Sequence, residues 1–144
     1  DICGLRIMCP FLDDIYTVVD ILRKRNDIDI LEERDYVNNE KKSGYRSYHI
    51  VFKYPIELLD GQHNILVEIQ IRTLAMNFWA TLEHSLNYKH PDVFPENVHK
   101  RLQEASETAF ELDEEMSEIR KELIKDAKRH QQEGKKNENC NLRK

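Results

Sequence analysis

Apolar and polar positions along this chain change period from block to block, and each block predicts an element. Gly4 to Cys9 (GLRIMC) is a short apolar run stopped by Pro10, the pattern of a buried strand. Asp13 or Asp14 can cap a helix whose apolar positions Ile15, Val18, Val19 and Leu22 follow helical spacing, ending near Arg25-Asn26. Ile28 to Tyr36 predicts a second strand, and Asn38 to Gly44 is a polar, basic loop. Tyr45 to Tyr54 and Ile65 to Arg72 predict two more strands. Between them Pro55 to Asn64 carries the turn signal Asp60-Gly61, so the pair should form an antiparallel hairpin. Thr73 is placed to N-cap a helix from Leu74 to about Tyr88, with Leu74, Phe78, Leu82, Ser85 and Leu86 near one face. Phe78 and Trp79 are expected in the core, as aromatic residues usually are.

After Pro91 and Pro95 a long helix is expected from about Glu96 to Arg129. Its apolar positions Val98, Leu102, Ala105, Ala109, Leu112, Met116, Ile119 and Leu123 step by four and three without a break. That is a narrow heptad seam flanked by charge. Two readings stand: the stripe packs on its own domain, or it mediates helix–helix assembly within a subunit or between subunits. Residues 131–144 form a polar tail rich in Lys and Asn, expected to be disordered. The predicted organisation is a core over 1–94, a helical segment over 95–130 and the tail over 131–144.

Composition narrows the functional classes. A net charge of −5 argues against a general nucleic-acid binder, whose footprint is basic, while leaving room for a local basic pocket. No apolar run approaches the roughly 20 residues of a membrane span. The three cysteines, Cys3, Cys9 and Cys140, are an odd set at irregular spacing and no disulfide framework. Cys3 and Cys9 are expected to behave as small buried hydrophobes, and the chain as a cytoplasmic one.

Strand alternation assembles the candidate chemistry. Period two places Tyr45, Ser47 and His49 on one side of the third strand. In the fourth, Ile65, Val67, Ile69 and Ile71 face one way and Leu66, Glu68, Gln70 and Arg72 the other. A hairpin with one polar face is ordinary for an antiparallel sheet and can simply be solvated. This polar face, however, combines a carboxylate, an aromatic ring and an imidazole, and its entrance carries Arg34, Lys41, Lys42 and Arg46. Such groups can stack a base, hold phosphates and engage a metal or a hydroxyl proton. His84 and His90 lack the spacing of a zinc-binding helix.

Several ordered segments resemble the RelA/SpoT-type alarmone synthetase domain, and small RelQ-type synthetases most. They are Asp1-Ile2-Cys3-Gly4-Leu5-Arg6-Ile7, Glu32-Glu33-Arg34-Asp35-Tyr36, Ser43-Gly44-Tyr45-Arg46-Ser47-Tyr48-His49, Val67-Glu68-Ile69-Gln70-Ile71-Arg72-Thr73, Ala75-Met76-Asn77-Phe78-Trp79-Ala80 and Glu83-His84. The likeness runs from Asp1 to about Arg120. It implies an α+β fold, a nucleotidyltransferase-like mixed β-sheet flanked by helices. It also implies an enzyme that transfers pyrophosphate from ATP to the ribose 3′-hydroxyl of GDP or GTP. By resemblance Asp1 binds Mg2+, and Glu68 shares the metal and activates the hydroxyl. Tyr45 stacks on guanine and Asn77 lies near its edge. Arg34, Lys41, His49 and the loop residue Arg46 approach the acceptor, and Arg6 contacts ATP. A homotetramer is implied as well.

The family's donor site also uses basic residues and a helical segment upstream of position 1, so an N-terminal part is expected to be missing from this sequence. The competing reading is an inactive guanine-nucleotide or RNA binding module without the ATP site. A third is a nucleotidyltransferase relative with another acceptor. The presence of both Asp1 and Glu68 favours the enzyme, and the Tyr45–Asn77 pairing favours guanine.

Overall fold

The computed structural model describes residues 2–89 and 95–141, the stretch 132–141 by its backbone alone. Seven elements follow one another: β1 (Ile2–Cys9), α1 (Leu12–Arg23), β2 (Asp29–Asp35), β3 (Tyr48–Leu58), β4 (Gly61–Thr73), α2 (Leu74–Lys89) and α3 (Glu96–Asn141). The four strands form one mixed sheet in the order β1-β4-β3-β2. β1 runs parallel to β4, and the other two pairings are antiparallel. This is the mixed-sheet α+β architecture expected, with a long C-terminal helix.

Period-two patterning decides which side of the sheet is core. Val67, Ile69 and Ile71 of β4 and Tyr48, Ile50 and Phe52 of β3 are buried on one face, against Ile15, Val19 and Leu22 of α1. Ile15, Ile50 and Ile71 are completely buried. Each such side chain contributes about 1.5–3 kcal/mol of burial free energy. The opposite face carries Arg6, Glu68, Gln70 and His49.

The hairpin is longer than expected. β3 and β4 pair as far as Leu58↔Gly61, leaving only Leu59 and Asp60 in the turn, and Gly61 takes φ 122°, which favours glycine. Pro55 is tolerated inside β3 because β2 stops pairing at Lys53, so the strand has a free edge there. At its other end β3 begins at Tyr48 rather than Tyr45.

Thr73 caps α2 as its position predicted: the Met76 amide donates to its Oγ1 at 3.1 Å. Trp79 is buried and its indole N–H donates to the Leu102 carbonyl at 2.7 Å. Phe78, expected in the core, is instead 68% exposed. It lies with Leu74, Leu82 and Leu86 on the helix face turned away from the sheet.

α3 bears on the two readings of the heptad seam. The residues it buries are polar and small: Ser106, Asp113 and Ser117. Ser106 bonds the Gly44 carbonyl, Asp113 accepts from the Thr73 hydroxyl, and Ser117 Oγ accepts from the Leu12 amide at 3.2 Å. Arg120 closes the row with Asp14 at 2.8 Å. The seam residues Val98, Leu102 and Ala109 are half-buried, the part nearest α2, whereas Leu112, Met116, Ile119 and Leu123 are exposed. With Phe11, Phe78 and Leu82 the seam lines an apolar groove of about 830 Å³.

Over 131–141 the expected disordered tail differs, since the α3 backbone continues to Asn141; residues 142–144 of that tail lie outside the described residues. Gln, Glu and Lys favour helix, and extending an existing helix adds one hydrogen bond per residue fixed. A single Gly134 costs only about 1 kcal/mol against that. Cys9 is buried as expected, whereas Cys3 is exposed, since the edge strand β1 reaches past the cover that α1 provides.

Candidate functional site

Sheet register places the candidate residues in two rows. Arg6, Gln70, His49 and Arg34 stand abreast across all four strands, through the pairs Arg6↔Gln70, His49↔Gln70 and Arg34↔His49. The next row is Gly4, Glu68, Val51 and Glu32. His49 Nδ1 therefore comes within 3.7 Å of Glu68 Oε1. Glu32, Arg34, His49, Val51 and Glu68 line a shallow recess.

Tyr45 precedes β3, yet its ring folds back over this face. Its hydroxyl lies 2.8 Å from His49 Nε2 and receives a hydrogen bond from Arg72 Nη2 at 2.7 Å. A guanidinium can only donate, so the tyrosine proton is available to His49 Nε2. That leaves the imidazole proton on Nδ1, on the side of Glu68. Burial pushes the His49 pKa below its ordinary value, and Lys41, Arg72 and Arg34 push the same way against the opposing pull of Glu68. The imidazole is thus neutral at pH 7, consistent with that tautomer.

Aromatic and cationic groups crowd around the ring. Tyr36 and His49 meet Tyr45 edge-on, with centroids 6.3 and 5.7 Å away. Lys41 Nζ stands 5.1 Å from the Tyr45 centroid and 4.7 Å from that of Tyr36. These are cation–π distances. On the other side opens a cavity of about 330 Å³ lined by Arg6, Tyr45, Arg72, Ala80, Thr81, Glu83 and His84. Asn77, from the first turns of α2, accepts from Arg6 Nη1 at 3.2 Å and from Arg72 Nη1 at 3.3 Å through the same Oδ1.

The structure thus brings together Glu68, Tyr45, Asn77, His49, Lys41, Arg34 and Arg6 on one face. Arg34 is exposed and pairs with Glu32 at 2.6 Å, whose hydrogen bond raises its pKa. Arg46 stands apart. Its guanidinium donates to the Val37 carbonyl, pairs with Glu40 at 3.5 Å and stacks on Phe110 at 3.8 Å. Arg46 lies before β3, and its contacts with Val37, Glu40 and Phe110 tie the loop to α3. Ser47, on the predicted polar side, is fully buried with its hydroxyl on the Ile71 carbonyl at 3.3 Å. Asp1 lies outside the described residues. Sequence reasoning passed over Gln70 and Arg72 as site residues, though the parity they share with Glu68 was the signal that could have found them.

The described residues include no cluster of three His, Cys, Asp or Glu that would hold a metal by itself. Glu68 nevertheless suits a hard cation. Its carboxylate is part-exposed, its Oε1 takes a hydrogen bond from Gln70 at 3.0 Å, and its Oε2 has no hydrogen-bond partner among the described residues. Mg2+ prefers such oxygen donors and commonly uses one or two carboxylates together with phosphates.

Residues 1–93 match the family model described as a region found in RelA/SpoT proteins. The chain belongs to the RelA/SpoT family. Similar to this RelA/SpoT chain is GTP pyrophosphokinase YjbM of Bacillus subtilis, 60% identical over 123 residues, covering 85% of this chain and 58% of YjbM. A crystal structure of small alarmone synthetase 1 from B. subtilis bound to its product pppGpp superimposes with a TM-score of 0.79 at 60% identity. It covers 83% of this chain and 61% of that one. The same synthetase bound to AMPCPP gives a TM-score of 0.70 at 55% identity, covering 85% of this chain and 61% of that one. The RelA/SpoT chain described here therefore spans about three-fifths of the length of these relatives.

Proposed function

We propose that this chain carries the acceptor half of a GTP pyrophosphokinase site, which transfers pyrophosphate from ATP to the ribose 3′-hydroxyl of GDP or GTP to give ppGpp or pppGpp. The observation that carries this reading is the convergence of Tyr45, Asn77 and Glu68 on one face of the sheet, within a ring of cationic groups. The relatives' GTP pyrophosphokinase name and their pppGpp and AMPCPP complexes support it.

The chemistry follows from the groups present. Tyr45 offers a flat surface on which a guanine can stack, worth roughly 1–3 kcal/mol. Asn77 provides an amide for the base edge, although its carbonyl is already engaged by two guanidiniums. Lys41 and Arg34 can take the acceptor's phosphates. Glu68 accepts the 3′-hydroxyl proton as the oxygen attacks the β-phosphorus of ATP, breaking the bond between the α-phosphoryl oxygen and that phosphorus so that AMP leaves. His49 fixes Tyr45 from below and turns its Nδ1 proton toward Glu68. Arg6, at the rim of the cavity, is placed for the donor nucleotide. Asp1 and Glu68 would hold Mg2+, which supplies charge neutralisation on the transferred group.

We further propose that the chain works in the cytoplasm as a homotetramer, its exposed seam meeting a second copy. An apolar groove lined by heptad positions of α3 and by Phe78 suits another helix of the same kind. Light scattering that finds a monomer at micromolar concentration would refute this.

The transfer itself is tested by incubating full-length protein with β-labelled ATP, Mg2+ and GDP or GTP. Label should appear on guanosine tetra- or pentaphosphate. Glu68→Gln should abolish it while GDP still binds. Guanine-nucleotide binding without transfer in the wild type would instead establish the inactive binding module, and turnover equal to wild type in Glu68→Gln would overturn the role of that carboxylate.

A further inference from the structure

Arg72 is a guanidinium sealed into the protein, 5% exposed, with no carboxylate partner among the described residues. Burying an uncompensated charge is costly, so its neighbours must be accepting hydrogen bonds from it. They are three, and each bears on the site. Arg72 donates to the Tyr45 hydroxyl at 2.7 Å, to Asn77 Oδ1 at 3.3 Å and to Gln70 Oε1 at 2.9 Å.

Gln70 carries the contact onward. Its Nε2 donates to Glu68 Oε1 at 3.0 Å. The orientation of this amide is dictated by chemistry. Guanidiniums from Arg72 and Arg6 both approach one end of it, the latter at 3.5 Å, and only an oxygen can accept there. The amide nitrogen is consequently held against the carboxylate. Alternation makes the chain of contacts possible, because Glu68, Gln70 and Arg72 are successive residues on one face of β4.

We infer that Arg72 and Gln70 are positioning residues that lock the base-stacking tyrosine, the amide of Asn77 and the catalytic carboxylate into one hydrogen-bonded frame. This rests on the pyrophosphate-transfer reading above and adds a dependence to it. Arg72 sets Tyr45 and Asn77 directly, and it sets Glu68 only through Gln70. A guanine that settles on Tyr45 thereby meets a carboxylate already aimed at its ribose.

The test is a double-mutant cycle in the full-length protein, with GDP affinity and kcat measured separately. Gln70→Ala should lower kcat about tenfold or more and leave GDP affinity within about threefold, since Arg72 loses one acceptor but keeps its hydrogen bonds to Tyr45 and Asn77. Arg72→Lys should lose both GDP affinity and kcat. In the double variant, Arg72→Lys should cause no further loss of kcat, because its route to Glu68 is already cut. A wild-type kcat in Gln70→Ala, or kcat losses that multiply in the double variant, overturns the inference. Should Arg72→Lys fail to fold by circular dichroism, Gln70→Glu replaces it. That variant keeps an acceptor for Arg72 but cannot donate to Glu68, so it should lose kcat and retain GDP binding; an unchanged kcat again overturns the inference. Wild-type protein that makes no labelled product would refute the transfer reading and the catalytic role of the frame together. An active wild type with an indifferent Gln70→Ala refutes the frame alone.

Discussion

Ser106 donates its hydroxyl proton to the carbonyl of Gly44, a residue 62 positions earlier, and so fastens the long helix to the loop that bears Tyr45. Gly44 takes φ 92°, a conformation that L side chains rarely adopt. A Cβ built there would stand 2.8 Å from the Ser106 Cβ, closer than van der Waals contact allows. Gly44→Ala should therefore cost about 2–4 kcal/mol through backbone strain and collision combined. The melting temperature should fall, and GDP affinity with it, because Lys41 and Tyr45 move with the loop. Ser106→Gly in the same chain should recover part of the loss by removing the clash but not the strain.

Tyr45 has two separable roles. On the proposed reading its ring presents the stacking surface, while its hydroxyl sits between Arg72 and His49. Tyr45→Ala should weaken GDP binding by about 1–3 kcal/mol, roughly 5- to 150-fold, in calorimetric titration. Tyr45→Phe should keep most of that affinity, since the ring remains. It should lower the melting temperature, because the buried Arg72 loses an acceptor.

His49 makes stability depend on pH. Burial lowers its pKa in the folded protein below the unfolded value of 6.5. Between those two values the unfolded chain binds the extra proton, so acid favours unfolding. The contribution from this imidazole is fully present above pH 6.5 and is lost as pH falls toward the folded pKa. Thermal melts from pH 7.5 to 5 should show that loss. His49→Gln should flatten this part of the curve, and a slope unchanged from wild type would rule His49 out as its source.

Asp113 works in the opposite direction. Burial raises its pKa above the usual carboxylate range, and the Thr73 hydrogen bond only partly offsets this. The stability tied to its protonated form is present below about pH 3.9 and is lost as pH rises through the folded pKa. At neutral pH a buried charge remains under the cap of α2. Asp113→Asn keeps an acceptor for Thr73 and removes that charge, so it should stabilise the protein by about 1 kcal/mol at pH 7.5. The gain should shrink toward pH 4. Equal melting temperatures at both pH values would contradict this account.

Period and punctuation alone located the elements of this protein, though not the ends of β3, β4 and α3. The alternation from Ile65 to Arg72 separated a core face from a polar face, Thr73 marked the start of α2, and the motif order pointed to the family and to Glu68. Those are local properties, set by the backbone repeat and by capping chemistry. Tertiary structure decided the rest. Parity told which side Gln70 and Arg72 occupy, but not that Arg72 would be buried with Tyr45, Asn77 and Gln70 as its acceptors, since those partners come from three different segments. Likewise the heptad steps of α3 located an apolar stripe without saying where it would face. The domain takes the adjoining polar row of the helix, because Ser106, Asp113 and Ser117 find hydrogen-bonding partners on Gly44, Thr73 and Leu12. The C-terminal part of the seam, from Leu112 to Leu123, is left exposed beside it. Arg46 reads like its neighbours in the sequence, yet its contacts are with Phe110 and Glu40 rather than with the site. Which cations face the candidate site and which tie down the fold is settled by tertiary partners that no local pattern contains.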